Sequence, residues 1–199
     1  IGSGGTILIS QYFGAKDINK VQKSIETIFI VLFIASIIVS IIGFFCAKDI
    51  FLLLNTGADV LPDAIKYFKI YMLGMVAFFG FNGISSVLRG LGDSKTPLYF
   101  LVVATIINVI LSIVFIVVFK MGVEGAAYAT VISHFIAFIS AYIYLIKVNP
   151  FFKTLQLFNL QFDKELFLKS IKIGFPTGVQ QTLVALGLMA LIRIINNFD

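Results

Sequence analysis

Long apolar runs alternate along the chain with short segments that carry charge. Five runs of 19 to 24 residues contain no Asp, Glu, Lys or Arg; they cover residues 27–47, 70–88, 96–119, 125–146 and 173–192. A helix needs about 20 apolar residues to cross the hydrocarbon core of a bilayer. The pattern therefore predicts five transmembrane helices, with the apolar segment 1–13 as the end of a sixth.

The composition agrees with a membrane protein. Hydrophobic residues make up 59% of the chain and charged residues 13%, whereas a soluble domain carries about 25% charged residues. We therefore expect an all-α, polytopic transmembrane bundle. The chain does not begin with Met and ends just after a span, so we interpret it as an internal fragment. Cys46 is the single cysteine, which excludes a disulfide or a cysteine metal cluster within this piece.

Basic residues are distributed unequally between the two sides that alternating spans define. One side carries ten and the other five, and the positive-inside rule places the ten-charge side in the cytoplasm. The ten are Lys16, Lys20, Lys23, Arg89, Lys95, Lys147, Lys153, Lys164, Lys169 and Lys172; the five are Lys48, Lys66, Lys69, Lys120 and Arg193. Because they lie in short loops, we expect them to contact lipid headgroups and expect no nucleic-acid partner. The expected location is a plasma membrane, the inner membrane of a bacterium.

The links between spans predict the organisation of the bundle. The outward link 48–69 contains Asn55, Gly57 and Pro62, and we expect the next helix to start near Asp63. The outward link 120–124 is so short that its flanking spans must form a tight antiparallel hairpin. The polar cytoplasmic segment 147–172, with Asn149 and Pro150, is interpreted as a linker between two bundles. The predicted division is thus 1–146, 147–172 and 173–199.

Small residues recur at every fourth position along the second hairpin helix, and such ridges let membrane helices approach closely. They are Gly125, Ala129, Ser133, Ala137 and Ala141. Gly74, Gly80 and Gly83 in the preceding span predict close packing or bending. Pro176, flanked by Gly174 and Gly178, predicts either a position in the first turns of its helix or a kink.

Four polar side chains lie deep in the hairpin. Asn108 and Ser112 are one turn apart on the first helix, and Thr130 and His134 are one turn apart on the second. Counted from the tip near Gly122, Asn108 comes level with His134 and Ser112 with Thr130. If these faces meet, they form one polar patch, which either binds a cation or only holds the two helices together.

Three further polar residues are candidates for the wall of a substrate cavity. Gln180 and Gln181 point to different faces of the last span, and we expect at least one to face protein or a water-filled cavity. Asn82 is the third candidate. His134 is the one side chain with an unperturbed pKa near neutrality, so it is either a proton carrier or a neutral packing residue.

Four segments resemble the multidrug and toxic compound extrusion family, in the right order and across essentially the whole chain. The run RGLGDSKTP, with Arg89, Gly90, Gly92, Asp93 and Pro97, resembles the family's Arg-Gly-x-Gly-Asp-x-x-x-Pro signature. GVEGAAYAT at 122–130 resembles a second motif, and SQYFGAKD at 10–17 and GFPTGVQQ at 174–181 are similar to further family segments.

The resemblance implies a fold and an activity. The fragment would run from the end of helix 2 to helix 7 of a twelve-helix carrier, with a partial amino-terminal lobe and the first helix of the carboxy-terminal lobe. Members are monomeric antiporters that alternate between inward-open and outward-open states. They export small organic, often cationic, compounds and use Na⁺ or H⁺ as coupling ion, without another cofactor or metal.

The family's cation site carries over in part. Asn108 and Thr130 match two of its residues, but Ser112 stands where the family has an Asp, and Val184 where one branch has a Glu. A carboxylate normally supplies the charge that retains a cation in a site of low dielectric constant. The resemblance therefore leaves coupling to the unseen helix 1, to the second lobe or to His134.

Three other functions compete with drug export. A flippase for a lipid-linked sugar would be expected to carry cationic side chains inside the lobes, and the five spans contain no Lys or Arg. An enzyme within the bilayer would need zinc ligands or paired Asp residues on the spans, which contain neither. A structural module without transport activity would show no response to ions or substrates in the intact protein.

Overall fold

The protein is an all-α transmembrane bundle, as predicted. The computed structural model describes residues 2–53, 57–148 and 161–195, and all regular structure in these ranges is helical. The helices are α1 (Gly2–Gly14), α2 (Ile18–Leu53), α3 (Leu61–Leu73), α4 (Met75–Gly90), α5 (Lys95–Ile113), α6 (Gly122–Val148) and α7 (Lys164–Ile195). A π-helical turn, Val114–Val118, continues α5 towards α6.

Four of the five predicted spans correspond to helices that are long and apolar enough to cross a membrane. These are α2, α5 with its π-helical turn, α6, and the pair α3 and α4, which together form one bent span. The predicted span 173–192 lies in α7. The side chains of the last residues of α7 lie outside the described part of the chain, and among the described residues α7 does not belong to this set.

The surface of α5 is apolar and largely uncovered by the described part of the chain. Of its residues, all of which the structure describes, only Pro97 and Ala104 are buried. Large side chains such as Leu101, Ile106 and Val109 are each about half exposed. A water-soluble fold would bury such side chains, because each Å² of apolar surface left in water costs about 25 cal/mol. Lipid removes that cost.

The core lies around α4, which packs against α1, α2 and α6. Its largest buried side chains include Ile9, Ile25, Ile28, Ile84 and Leu145. The predicted ridge of small residues on α6 is buried along its whole length, so its role as a packing face is confirmed. Gly80 of α4 packs against the ring of Phe138, which a Cβ at Gly80 would approach to 2.5 Å.

The predicted span 70–88 is broken at Gly74. It begins at Leu61, close to the predicted start at Asp63, but α3 and α4 are inclined by 51° to each other. The break frees the carbonyl of Met72, which accepts a 2.6 Å hydrogen bond from Ser40 Oγ of α2. A Cβ at position 74 would lie 2.7 Å from Val131 of α6. The predicted bending at Gly74 is therefore real, and a neighbouring helix satisfies the freed backbone group.

The last helix begins earlier than the apolar run suggests. It starts at Lys164, inside the predicted linker, because Asp163 Oδ1 accepts hydrogen bonds from the amides of Glu165 (2.9 Å) and Leu166 (3.1 Å). Charged residues limit the apolar run 173–192 in the sequence, but helix α7 continues through them. Asn55, residues 149–160 and residues 196–199 lie outside the described ranges, and the division at 146 and 172 stays a prediction.

Candidate cation and substrate site

The hairpin between α5 and α6 closes through a very tight turn. Lys120 and Gly122 adopt left-handed backbone conformations, with φ of 53° and 57°. The amides of Phe119 and Met121 donate to the carbonyls of Val114 and Phe115 at 3.0 and 2.9 Å. The turn therefore remains continuous with the π-helical end of α5, and the predicted hairpin is confirmed.

Asn108 connects the two hairpin helices. Its Nδ2 donates to Thr130 Oγ1 at 3.1 Å and lies 3.5 Å from Ser133 Oγ. Thr130 Oγ1 in turn donates to the carbonyl of Ala126, and Ser133 Oγ to the carbonyl of Thr130, both at 2.9 Å. Both hydroxyl protons are therefore used within α6. Their oxygens are turned towards α5 as acceptors.

The two hairpin helices meet in a different register from the one that equal counting from Gly122 predicts. Asn108 contacts Thr130 and Ser133 instead of lying opposite His134. Counting residues from Gly122 assigned residues 119–121 to the length of α5. These residues form the turn instead and add little depth. The π-helical turn shortens α5 further, because it places more residues in each turn than an α-helix does.

Ser133 belongs to this site, although the sequence analysis did not identify it as a candidate site residue. Its side chain is 1% exposed, and it follows Thr130 by three positions, on the same helix face. Its membership of the small-residue ridge concealed its second role. A polar residue inside a ridge of Ala and Gly is the signal that would have identified it.

Asn108, Thr130 and Ser133 form a hydrogen-bonded group, which we call the Asn108 cluster. His134 does not belong to it. Its Nδ1 lies 2.8 Å from the carbonyl of Thr130, and since a carbonyl only accepts, Nδ1 carries the proton. The ring is half-buried, 5.4 Å from the ring of Phe78 on α4. The single four-residue patch predicted from the sequence is therefore divided, with His134 facing α4 and Asn108 facing α6.

Two oxygens of α5 are available to a ligand. In the part of the chain that the structure describes, neither Asn108 Oδ1 nor Ser112 Oγ takes part in a hydrogen bond. Both side chains are half-buried, and they are one helical turn apart. Amide and hydroxyl oxygens suit a hard cation such as Na⁺, but both are neutral.

The described residues contain no cluster of three or more His, Cys, Asp or Glu side chains able to hold a metal ion. Val184, at the position where one family branch has a Glu, is exposed. None of the hydrogen bonds of Asn108, Thr130 and Ser133 in the described part of the chain involves a carboxylate. The source of a negative charge for a bound cation stays a prediction.

The three candidates for a substrate cavity are exposed. Asn82 Nδ2 donates to the carbonyl of Phe78 in its own helix at 2.8 Å. Gln180 and Gln181 are both exposed on α7. The described part of the chain covers neither glutamine, and the expectation that at least one of them faces protein or a water-filled cavity stays a prediction.

The segment with Arg89, Gly90, Gly92, Asp93 and Pro97 forms the connection between α4 and α5. Gly92 has a φ of +94°, a left-handed conformation that glycine adopts without strain. The amide of Gly92 donates to Arg89 O at 3.1 Å and that of Asp93 to Leu88 O at 2.9 Å. This is the Schellman arrangement that ends a helix.

Asp93 starts the next helix. Its Oδ1 accepts from the amides of Thr96 (3.0 Å) and Lys95 (3.2 Å). Hydrogen bonding with Thr96 is the main cause of a lowered pKa of Asp93. Pro97 is buried in the first turn of α5, where it costs no hydrogen bond.

Gly90 is buried against α1, where a Cβ would lie 2.8 Å from Ile9 and 3.1 Å from the carbonyl of Thr6. Arg89 is exposed, with its guanidinium 3.5 Å from Ser86 Oγ. In the part of the chain that the structure describes, the motif thus ends α4, begins α5 and packs α4 against α1.

Comparison with known proteins gives a consistent result. The family model described as MatE matches residues 1–114. The chain is 37% identical over 193 residues to "Probable multidrug resistance protein YpnP" of Bacillus subtilis, covering 96% of this chain and 42% of that relative. It is 35% identical to "Probable multidrug resistance protein YoeA" of the same organism, covering 100% of this chain and 44% of the relative. The chain thus spans less than half the length of the curated relatives it matches.

Solved structures agree in fold. A structure described as the outward-facing conformation of a multidrug resistance MATE family transporter superposes with a TM-score of 0.85 at 21% identity, covering 94% of this chain and 42% of that one. An inward-facing MATE family structure gives 0.82 at 22% identity, covering 88% and 40%.

Proposed function

This chain belongs to the MatE family of multidrug transporters, and on this premise we propose that the complete protein is a secondary active antiporter. It exports small organic, often cationic, compounds across the plasma membrane in exchange for Na⁺ or H⁺. Export occurs by alternating access, in which the two lobes expose a central cavity to one side of the membrane and then to the other.

The observation that carries this proposal is the contact between Asn108 and Thr130. The family resemblance assigns these two residues to the cation site, and they lie 3.1 Å apart in the hairpin. The contact orients the Asn108 amide so that Nδ2 faces α6, and Oδ1 remains available beside Ser112 Oγ. A Na⁺ ion would take these oxygens together with a carboxylate from outside the described ranges.

Proton coupling has a separate candidate. The Nδ1 proton of His134 is engaged with the Thr130 carbonyl, so Nε2 is the nitrogen that accepts a proton. Protonation would place a positive charge beside the ring of Phe78, where a cation is attracted by the face of the ring. The same carbonyl links His134 to the Thr130 of the Asn108 cluster.

The spans and rings support an organic cation as substrate. No Lys or Arg lies in the five apolar runs, so these runs offer a phosphate group no cationic partner. Tyr67, Tyr71 and Phe78 form a series with centroid distances of 6.4 and 6.5 Å that leads to His134. Aromatic faces attract organic cations.

The experiment is dye efflux from liposomes that contain the complete protein, driven separately by a Na⁺ gradient and by a H⁺ gradient. We expect efflux under one gradient, lost in Asn108→Ala if Na⁺ couples and in His134→Ala if H⁺ couples. Thr105→Ala is the matched control, because its hydroxyl bonds only to Leu101 O of its own helix and is exposed. Absence of efflux under both gradients would contradict the proposal and favour a lipid-linked sugar flippase or a structural module.

A further inference from the structure

A short stretch of α2 is buried on every side. Residues Ser24 to Ile28 are five consecutive buried positions, and five residues complete more than one turn of a helix. A helix on the surface of a bundle would bury only one face. At this level α2 is therefore enclosed by α1, α4 and by the chain that leads into α7.

Glu26 is the charged residue in this enclosed stretch. Its side chain is 7% exposed. Its Oε1 accepts from Gln22 Nε2 at 3.0 Å, and its Oε2 accepts from the main-chain amide of Gln161 at 3.1 Å. A buried carboxylate requires such partners, because removing a charge from water without them is costly. One of its two partners thus belongs to a segment 135 residues away.

Thr27 makes a second contact to the same segment. Its Oγ1 donates to the carbonyl of Lys23 at 2.8 Å and accepts from the amide of Asp163 at 3.1 Å. Asp163 is also the residue whose carboxylate begins α7. We call these contacts, from Glu26 and Thr27 to the main chain of Gln161 and Asp163, the linker clamp.

Next to the linker clamp, α7 lies directly against α1. A Cβ at Gly4 would lie 2.1 Å from the carbonyl of Ser170 and 2.8 Å from the amide of Gly174, so the two backbones are in contact. Among the residues of α7 whose side chains the structure describes, Leu166, Ser170 and Gly174 are buried, and they lie on one face. We call the contact of Gly4 with Ser170 and Gly174 the α1–α7 seam.

The seam lies near the start of α7. From Gly178 to Val184 every residue is exposed in the described part of the chain, and an apolar groove of about 530 Å³ runs along this part, lined by residues such as Phe175, Val179 and Leu183. Alternating access requires two lobes that touch at one end and separate at the other. The linker clamp and the α1–α7 seam provide a contact of this kind at the start of α7.

We propose that Glu26 is a positioning residue of the transport cycle, which holds the start of α7 against α1 and so keeps the predicted cytoplasmic end closed. The inference rests on the proposed transport function. The linker clamp is suited to reversible release, because both of its linker partners are main-chain amides that water can satisfy when the segment leaves. The α1–α7 seam is a close backbone contact without interlocking side chains. The two helices can therefore separate without a change of side-chain rotamers.

The test uses the complete protein in lipid nanodiscs, with hydrogen exchange of residues 161–166 measured by mass spectrometry. In Glu26→Ala we expect exchange at Gln161 and Asp163 to rise on the order of 10-fold or more, the factor that corresponds to loss of a hydrogen bond to a charged group. Glu26→Gln keeps the shape and should show a smaller rise. Glu165→Gln is the control, because that carboxylate is 77% exposed and pairs with Lys169 on the helix surface; it should leave exchange unchanged.

A second readout follows the seam itself. Spin labels at the exposed positions Ser10 of α1 and Leu168 of α7 report the distance across it, and we expect a second, longer distance in Glu26→Ala that the Glu165→Gln control lacks. Unchanged exchange and an unchanged distance in both Glu26 variants would overturn the proposal. If both readouts change as expected but the parent protein exports no dye under either gradient, the linker clamp is supported and the proposed transport function is contradicted.

Discussion

The contact between α1 and α4 and the contact between α5 and α6 join helices by different means. At the first, Gly90 admits Ile9, which is fully buried, and the Thr6 hydroxyl reaches Ser86 O at 3.1 Å. At the second, Asn108 reaches across to Thr130 and Ser133, while most of α5 remains exposed. The close fit at Gly90 dominates the first contact, to which the Thr6 hydroxyl adds a hydrogen bond, and polar groups dominate the second, so they should respond to different substitutions.

This difference suggests that the two contacts have different roles. A contact without spare volume keeps two helices in one arrangement, because overpacking is costly in either direction of movement. A contact through amide and hydroxyl groups leaves lone pairs available for an ion. We therefore expect α1–α4 substitutions to affect folding and α5–α6 substitutions to affect coupling.

The largest effect is expected for Gly90→Val. The added side chain would collide with Ile9 and with the Thr6 carbonyl, and we expect a loss of about 3 kcal/mol of stability. Thermal unfolding of the complete protein in detergent measures it. Gly178→Ala is the control, because a Cβ at position 178 meets no atom within 4 Å. An equal loss in both variants would show that shape does not govern the α1–α4 contact.

A moderate effect is expected for Asn108→Ala. Removing the amide leaves Thr130 and Ser133 without their partner on α5, at a cost of about 1 kcal/mol, the range measured for hydrogen bonds between membrane helices. A double-mutant cycle with Thr130→Val measures the coupling energy, which we expect to be about 0.6 kcal/mol. A coupling energy of zero would mean that the hydrogen bond does not hold the hairpin together.

Gly92→Ala should cost about 1 kcal/mol although position 92 is open to solvent. The cost comes from the backbone, because φ of +94° is strained for any residue with a Cβ. Unfolding measurements should therefore show a lower stability for this variant, while its substrate range should equal that of the parent protein. A stability equal to that of the parent would contradict the Schellman geometry at the end of α4.

The smallest effect is expected for Asp93→Asn, which retains a cap acceptor but removes the charge. Because the folded pKa of Asp93 lies below the ordinary value of 3.8 for an aspartate, the carboxylate contributes stability above that value, and the contribution is lost as the pH falls through the folded pKa. We expect a difference of about 0.5 kcal/mol at pH 7, within the range for a helix cap, that vanishes in acid. A difference in stability that persists at pH 2 would show that the charge of Asp93 is not its cause.

Periodic features of this protein were predictable from the sequence, and features that depend on distant contacts were not. The ridge on α6 follows from a spacing of four, and the α5–α6 hairpin follows from a link too short for anything else. The pairing of Asn108 with Ser133 depends on the π-helical turn, which no residue pattern announced. The break at Gly74 needed Ser40 of α2 to satisfy the Met72 carbonyl, a contact over 32 residues. Glu26 looked like an ordinary charge at the end of a span, because its partner lies across 135 residues.

The central claim is that the α5 face with Asn108 Oδ1 and Ser112 Oγ binds the coupling ion. The most direct test is the concentration of coupling ion that gives half-maximal efflux, measured in Ser112→Ala and in the control Thr105→Ala of the same helix. We expect this concentration to rise about 10-fold in Ser112→Ala, as for the loss of one polar contact, and to stay unchanged in Thr105→Ala. Equal ion dependence in the parent and both variants would contradict the claim.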